Sequence, residues 1–319
     1  MEDVFGDTKD VTETEDMTGV EDMMTGVKGT TGAETAKNGI RNEREEGMTS
    51  LDRIRSSNPL ITVLTLIGRG TLRLLGNSGA MAIFFSLAFI NIFRRKQLRE
   101  IVNQVFYIGA TSSLIVLLVG LFTGMVLGLQ LFYTLVKFGA VGALGSAVSL
   151  SLVREMGPVL TAIMITARAG SGMAAEIGIL RISEQVDALY AMRVDPVRYL
   201  ISPRIAAAII SFPLLTAFFD LIGIIGGYLT GVLLLGTNGG TYFYRVQSSL
   251  DMVDIRGGFI KALVFAAIVS CVCCFQGYFC HMRTDGYGAK SVGFATISAV
   301  VLSCVMILIS DYVLTSFFM

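Results

Sequence analysis

Five long apolar stretches, at roughly 105–136, 147–173, 205–235, 258–281 and 292–318, dominate the C-terminal two thirds of the chain. A bilayer core takes about 20 apolar residues per helix. Each stretch meets that length, and together they predict five transmembrane helices. Ahead of them the pattern changes twice. From Leu51 to about Leu75, Arg53, Arg55, Arg69 and Arg73 are spaced among Ile, Leu and Val. The run AMAIFFSLAFINIF (80–93) then ends at Arg94, Arg95 and Lys96. A basic amphipathic stretch beside a short apolar one fits an interfacial or half-inserted element; a full first span over 74–93 is the other reading. The first fifty residues hold thirteen acidic and five basic side chains and almost no large apolar ones. Such a segment cannot bury enough surface to order itself, and it lacks the apolar core of a signal peptide. Residues 1–50 are expected to form a disordered acidic cytoplasmic tail, and residues 51–319 the membrane domain.

Composition agrees with the pattern. Of 319 residues, 53% are hydrophobic and 16% charged, with mean hydropathy +0.67; soluble domains are nearer 25% charged. The fold class is therefore all-α and polytopic. A formal net charge of zero gives no reason to expect a nucleic-acid partner. Cys271, Cys273, Cys274, Cys280 and Cys304 lie in or beside apolar runs, with His281 as the only histidine. They read as small apolar residues rather than a zinc site, and nothing in the chain calls for a metal or cofactor.

Basic clusters set the orientation. Arg94, Arg95, Lys96 and Arg99 precede the first long segment and place that end in the cytoplasm. The Arg-rich 174–204 and the 282–291 connections then face the cytoplasm, while 236–257 and the C-terminus face outward. One cytoplasmic stretch stands out. LRISEQVDALYAMRVDPVRYLISPR (180–204) carries Arg181, Glu184, Asp187, Arg193, Asp195, Arg198 and Arg204 between two oily flanks. Ile182, Val186 and Leu189 fall on one helical stripe, and Asp195-Pro196 breaks the helix. The pattern predicts a compact cytoplasmic helix tied to two membrane helices; a helix resting on the membrane surface would show the same pattern.

Inside the membrane, Gly120, Gly124 and Gly128 form one GxxxGxxxG repeat, and Gly223, Gly227 and Gly231 another. This spacing lets helix backbones approach closely, in a dimer interface or within one subunit. Charges at membrane depth are costly. Counting at 1.5 Å per residue, Glu155 and Asp311 lie roughly 12 Å and Lys261 about 5 Å from the outer helix ends. With Arg154 alongside, two carboxylates and two cations can meet and compensate. Asp220 stands alone near the middle of the third segment unless Arg168 or another donor reaches it.

The run SLVREMGPVLTAIMITARAGSGMAAEIGILRISEQVDALYAMRVDPVRYLISPRIAAAIISFPLL (151–215) closely resembles the MlaE (YrbE) family of ABC-transporter permeases. The REMGP opening, the ARAGS core, the AEIG turn, the EQVDAL segment and the DPVRYL exit follow the family order. The resemblance continues through GMVLGLQ (124–130) and ISDYVLT (309–315), and covers about residues 55–318. It implies a homodimeric permease of the bacterial inner membrane that moves phospholipid or a related lipid between membranes. It also implies a cytoplasmic ABC ATPase and an MCE-domain lipid-binding protein as partners. By the same resemblance the charged stretch is a coupling helix seated in the ATPase, with Arg181, Glu184, Asp187, Asp195 and Arg198 as coupling residues. Leu127, Leu131, Thr134, Leu135 and Phe138 would line a lipid cavity. The charges Arg154, Glu155, Lys261 and Asp311 would form a gate or lock beside it.

Other classes fit less well. The chain shows no P-loop of its own: in GYGAKS (286–291) Ala289 precedes the lysine and the spacing is wrong. The ATP-hydrolysing enzyme is therefore expected to be a separate partner. An ion-coupled secondary transporter would be expected to show internal repeats and a midplane site, and Asp220 is the sole candidate. A membrane enzyme needs a nucleophile–base pair, and His281 alone does not supply one.

Overall fold

The computed structural model describes Gly79, Ser86 and residues 98–282 and 288–318. All of these belong to one unit, Leu74–Met319. The expected acidic tail and nearly all of the expected interfacial element lie outside the described residues.

Seven helices, with a short 3-10 turn at Cys280–Met282, make up the regular structure, with no strand among the described residues. We label them α1 (Leu98–Lys137), α2 (Val141–Ile182), α3 (Gln185–Ala191), α4 (Val197–Leu234), α5 (Gly239–Ser249), α6 (Met252–Tyr278) and α7 (Ala289–Phe318). Five of them, α1, α2, α4, α6 and α7, are long and apolar enough to cross a membrane. Each begins before its expected apolar run, while α4 and α6 end slightly short of theirs, at Leu234 and Tyr278. The basic clusters assign to the cytoplasm the end where α2 hands over to α3 and α4. α5 sits at the opposite end, between α4 and α6. There Asn238 Oδ1 accepts from the Thr241 backbone N–H, and the Tyr242 hydroxyl donates to the Ile224 carbonyl at 3.0 Å.

Three of the spans are not uniform. α1, α2 and α4 contain wide π-type turns, among them Phe106–Ala110, Leu152–Met156, Thr166–Gly170 and Val197–Ile201. Such turns re-aim side chains and free backbone carbonyls, and they concentrate at functional sites. α6 is different: 27 residues of α-helix without a bulge. It packs against α2, α4 and α7, and 61% of its apolar window is buried, against 22% for α1.

The two glycine repeats find each other within one subunit. A Cβ on Gly124 would fall on the Gly223 carbonyl, and one on Gly128 would lie 3.2 Å from Gly227 Cα. α1 therefore turns Ser112, Val116, Gly120, Gly124 and Gly128 inward. Its opposite stripe, including Leu118, Phe122, Val126 and Tyr133, is exposed along the helix. With hydrocarbon on that side, backbone contact at glycines replaces the hydrophobic drive that would join helices in water.

Candidate functional site

The outer end of the bundle holds the charge cluster. Pro158 has no N–H, so the carbonyl one turn back, at Arg154, has no helical donor. Lys261, on α6, fills that gap: its Nζ donates to the Arg154 carbonyl at 2.9 Å. The same ammonium donates to Glu155 Oε2 at 2.8 Å and to Thr315 Oγ1 at 2.7 Å. Asp311 Oδ1 stands 3.0 Å away in an ionic contact that lacks the alignment of a hydrogen bond. Three transmembrane helices, α2, α6 and α7, thus converge on one ammonium whose side chain is 4% exposed. The Thr315 hydroxyl also lies 3.2 Å and 3.3 Å from the two Glu155 oxygens.

Arg154 does not join this group through its side chain. Its Nε donates to Asp254 Oδ1 at 2.7 Å. Asp254 Oδ2 in turn accepts from the Asp251 backbone N–H at the start of α6. The cluster therefore has two layers, a buried one around Lys261 and a half-exposed one around Arg154. Both border a cavity of about 500 Å³ lined by Arg154, Glu155, Asp254, Arg256, Lys261 and Phe318, among others. Charged walls with an apolar rim make a place where an amphiphile's polar end can sit. Thr315 and Asp254 were not singled out from sequence. Thr315 lies one turn after Asp311, and Asp254 two turns before Lys261, so helical spacing from the charges already chosen pointed to both.

The five positions expected to line a lipid cavity divide. Leu127, Leu131 and Leu135 are half-buried against the bundle core. Thr134 and Phe138 are exposed, Phe138 at 79%. The Thr134 hydroxyl donates to the Gln130 carbonyl at 3.0 Å.

The inner end departs from the single helix expected over 180–195. α2 ends at Ile182, the chain turns at Ser183 and Glu184, and α3 occupies only Gln185–Ala191. Glu184 (φ 59°) and Arg193 (φ 56°) both adopt left-handed backbone. A non-glycine residue there costs about 1–2 kcal/mol, so surrounding contacts must hold the elbow in place. Val186 is fully buried under α3 with Ile177, Ile201 and Ile205. Arg181 is an internal clamp: its Nη1 reaches Asp187 Oδ1 at 2.6 Å, its Nε donates to His281 Nδ1 at 3.1 Å, and its guanidinium lies over the Tyr278 ring. Asp195 Oδ1 accepts from the Val197 backbone N–H at 3.0 Å and caps α4. Glu184 and Asp187 are exposed, and Arg198 sits half-buried in the first turn of α4. Arg204, counted among the charges of this stretch but given no role from sequence, is buried; its Nη2 meets Glu176 Oε2 at 3.1 Å and its Nη1 donates to the Leu200 carbonyl. The break at Ser183 left no sequence signal, since neither glycine nor proline stands there.

Asp220 remains apart. Its Oδ1 is buried against Gly157, and among the described residues no hydrogen-bond donor reaches that atom. Of the cysteines, Cys280 lies just beyond α6, where burial pushes its thiol above the ordinary value. No group of three or more His, Cys, Asp or Glu side chains among the described residues is placed to hold a metal ion.

A bundle of five helices long and apolar enough to cross a membrane, with ion pairs inside its outer end and a polar elbow at its inner end, is a polytopic membrane protein. The family model for the MlaE permease matches residues 101–317, and the chain belongs to that family. It is 40% identical over 261 residues to the intermembrane phospholipid transport system permease protein MlaE of Haemophilus influenzae, covering 81% of this chain and 97% of that one. A probable ABC transporter permease protein of Rickettsia bellii is 41% identical over 260 residues, covering 81% and 98%. TRIGALACTOSYLDIACYLGLYCEROL 1 of Arabidopsis thaliana, a chloroplast protein, is 36% identical over 220 residues, covering 69% and 61%. The chain is a multi-pass protein of the bacterial inner membrane.

Proposed function

We propose that this chain is the membrane subunit of an ABC transporter that moves phospholipid between membranes. The observation that carries the reading is its 40% identity to a phospholipid-transport permease over nearly that protein's whole length. A separate cytoplasmic ATPase supplies the energy and docks on α3, where Glu184, Asp187, Tyr190 and Met192 are exposed on a rigid elbow. Two copies of the chain assemble, and an MCE-domain protein receives or delivers lipid at the outer face. The acyl chains run along α1 near Leu127, Leu131, Thr134, Leu135 and Phe138. The headgroup reaches the cavity beside Arg154, Glu155, Lys261 and Asp311, whose ion pairs hold α2, α6 and α7 together there.

The test is reconstitution of the full chain with its ATPase and MCE partner in proteoliposomes carrying a fluorescent phospholipid. ATP should drive transfer to acceptor vesicles, and a non-hydrolysable analogue should not. Transfer that follows an ion gradient without ATP would overturn the reading in favour of a secondary transporter.

A further inference from the structure

Two side chains at the elbow, Arg181 in the last turn of α2 and Tyr190 on α3, reach to the end of α6. Arg181 Nε donates to His281 Nδ1 at 3.1 Å, with Nη2 3.4 Å from the other ring nitrogen. The Tyr190 hydroxyl, on α3 itself, is 2.8 Å from the Tyr278 hydroxyl. The Arg181 guanidinium also lies 5.6 Å from the centre of the Tyr278 ring, a cation–π contact. Tyr278 is the last residue of α6, and His281 follows three residues later. The strained elbow is thus strapped to the end of α6, a helix about 90 residues further along the chain.

At its other end α6 carries Lys261. Between Lys261 and Tyr278 the helix rises about 26 Å at 1.5 Å per residue, with neither proline nor bulge. Glycine contacts fasten it to α2 at both ends. A Cβ on Gly258 would lie 2.7 Å from the Val153 carbonyl, and one on Gly277 would lie 2.6 Å from the Ala174 carbonyl. The two helices therefore run side by side in backbone contact, with α3 strapped at one end and the Lys261 cluster at the other.

We infer that His281 and Tyr278 are positioning residues that strap the α2–α3 elbow to the end of α6, and that α6 carries the ATPase stroke from that elbow to the Lys261 cluster. A push on α3 cannot be absorbed by bending at the elbow while both straps hold. It passes to α6, which has neither proline nor bulge. That helix ends its path at the ammonium on which α2, α6 and α7 converge. The outer cavity is lined by α2, α6 and α7, so movement of this strut relative to α7 changes its shape while the α2–α6 contacts stay whole. The inference rests on the proposed docking of an ATPase at α3.

The experiment uses the full complex in proteoliposomes and reads phospholipid transferred per ATP hydrolysed. The double variant His281→Ala with Tyr278→Phe should still bind the ATPase and still hydrolyse ATP, with the transfer ratio falling at least fivefold. His281→Asn, whose Oδ1 stands near the position of Nδ1 and accepts from Arg181, should stay within about twofold of the parent. A purely structural role would lower assembly and hydrolysis together and would not separate these variants. Where the double variant does not fold, Tyr278→Phe alone, which removes the hydroxyl that meets Tyr190, carries the same expectation. Val253→Cys, beside the outer cavity and 76% exposed, supplies the second readout. Its labelling by an impermeant maleimide should differ between nucleotide-free and vanadate-trapped complex, and the difference should vanish when the straps are removed. An unchanged transfer ratio, or labelling that stays nucleotide-dependent without the straps, overturns the inference. A parent complex that transfers no lipid with ATP would instead sink the proposed function.

Discussion

Replacing Lys261 by methionine tests how the outer cluster is held. The change keeps the length and most of the volume of the side chain and removes only the ammonium. Three acceptors lose their donor: the Arg154 carbonyl at 2.9 Å, Glu155 Oε2 at 2.8 Å and Thr315 Oγ1 at 2.7 Å. Asp311 loses its counter-charge at 3.0 Å. Stranding one partner of a fully buried pair costs about 3–5 kcal/mol. Glu155 is 37% exposed and Asp311 20% exposed, so water takes up part of their charge. The expected loss therefore sits at the lower end, about 3 kcal/mol. Adding Asp311→Asn to Lys261→Met removes one stranded carboxylate and should recover about 1–2 kcal/mol, a coupling typical of residues in contact. The assay is unfolding of the detergent-solubilised protein followed by far-ultraviolet circular dichroism, since the chain has no tryptophan. Single and double variants in a cycle give the coupling directly. Additivity within about 0.5 kcal/mol would mean that Lys261 and Asp311 do not interact, and the reasoning would fail.

Three further outcomes are expected. Gly124→Ala forces a Cβ onto the Gly223 backbone and should cost about 2–3 kcal/mol as overpacking, whereas Gly142→Ala, with open space around it, should melt close to the parent. Asp187→Lys puts a like charge beside Arg181, its partner at 2.6 Å, and should cut ATP-driven transfer several-fold while the permease still inserts and assembles; normal transfer would remove Asp187 from the coupling path. A photo-crosslinking residue at Thr134 or Phe138 should capture phospholipid in a way that varies with the ATPase cycle, while one at Val126, on the exposed stripe of α1, should label bulk lipid at every stage; equal labelling at all three would dissolve the cavity assignment.

Much of this architecture is legible in the sequence itself. Apolar length alone marks out the five spans, because hydrocarbon tolerates no unpaired backbone. The cost of charge at depth is reason enough to expect Glu155, Lys261 and Asp311 to meet, and the glycine repeats announce close helix contact. Only the tertiary structure decides with whom. Arg154 stands next to Glu155 in the chain, yet its side chain turns to Asp254, because consecutive helical residues point about 100° apart. The repeats at Gly120 and Gly223 pair with each other across α1 and α4. Leu127, Leu131 and Leu135 face their own bundle while Phe138 on the same stripe does not. The helix expected to continue past Ile182 stops there, because Val186 gains more by burial beside Ile205 than the backbone loses at Glu184. Propensity, length and the penalty for buried charge act over a few residues or on one side chain at a time, so they can be read along the chain. The rotation of each helix about its axis, and so the partner each side chain meets, is set by packing against helices up to 160 residues away, as Glu155 and Thr315 show. That packing exists only once the bundle has assembled.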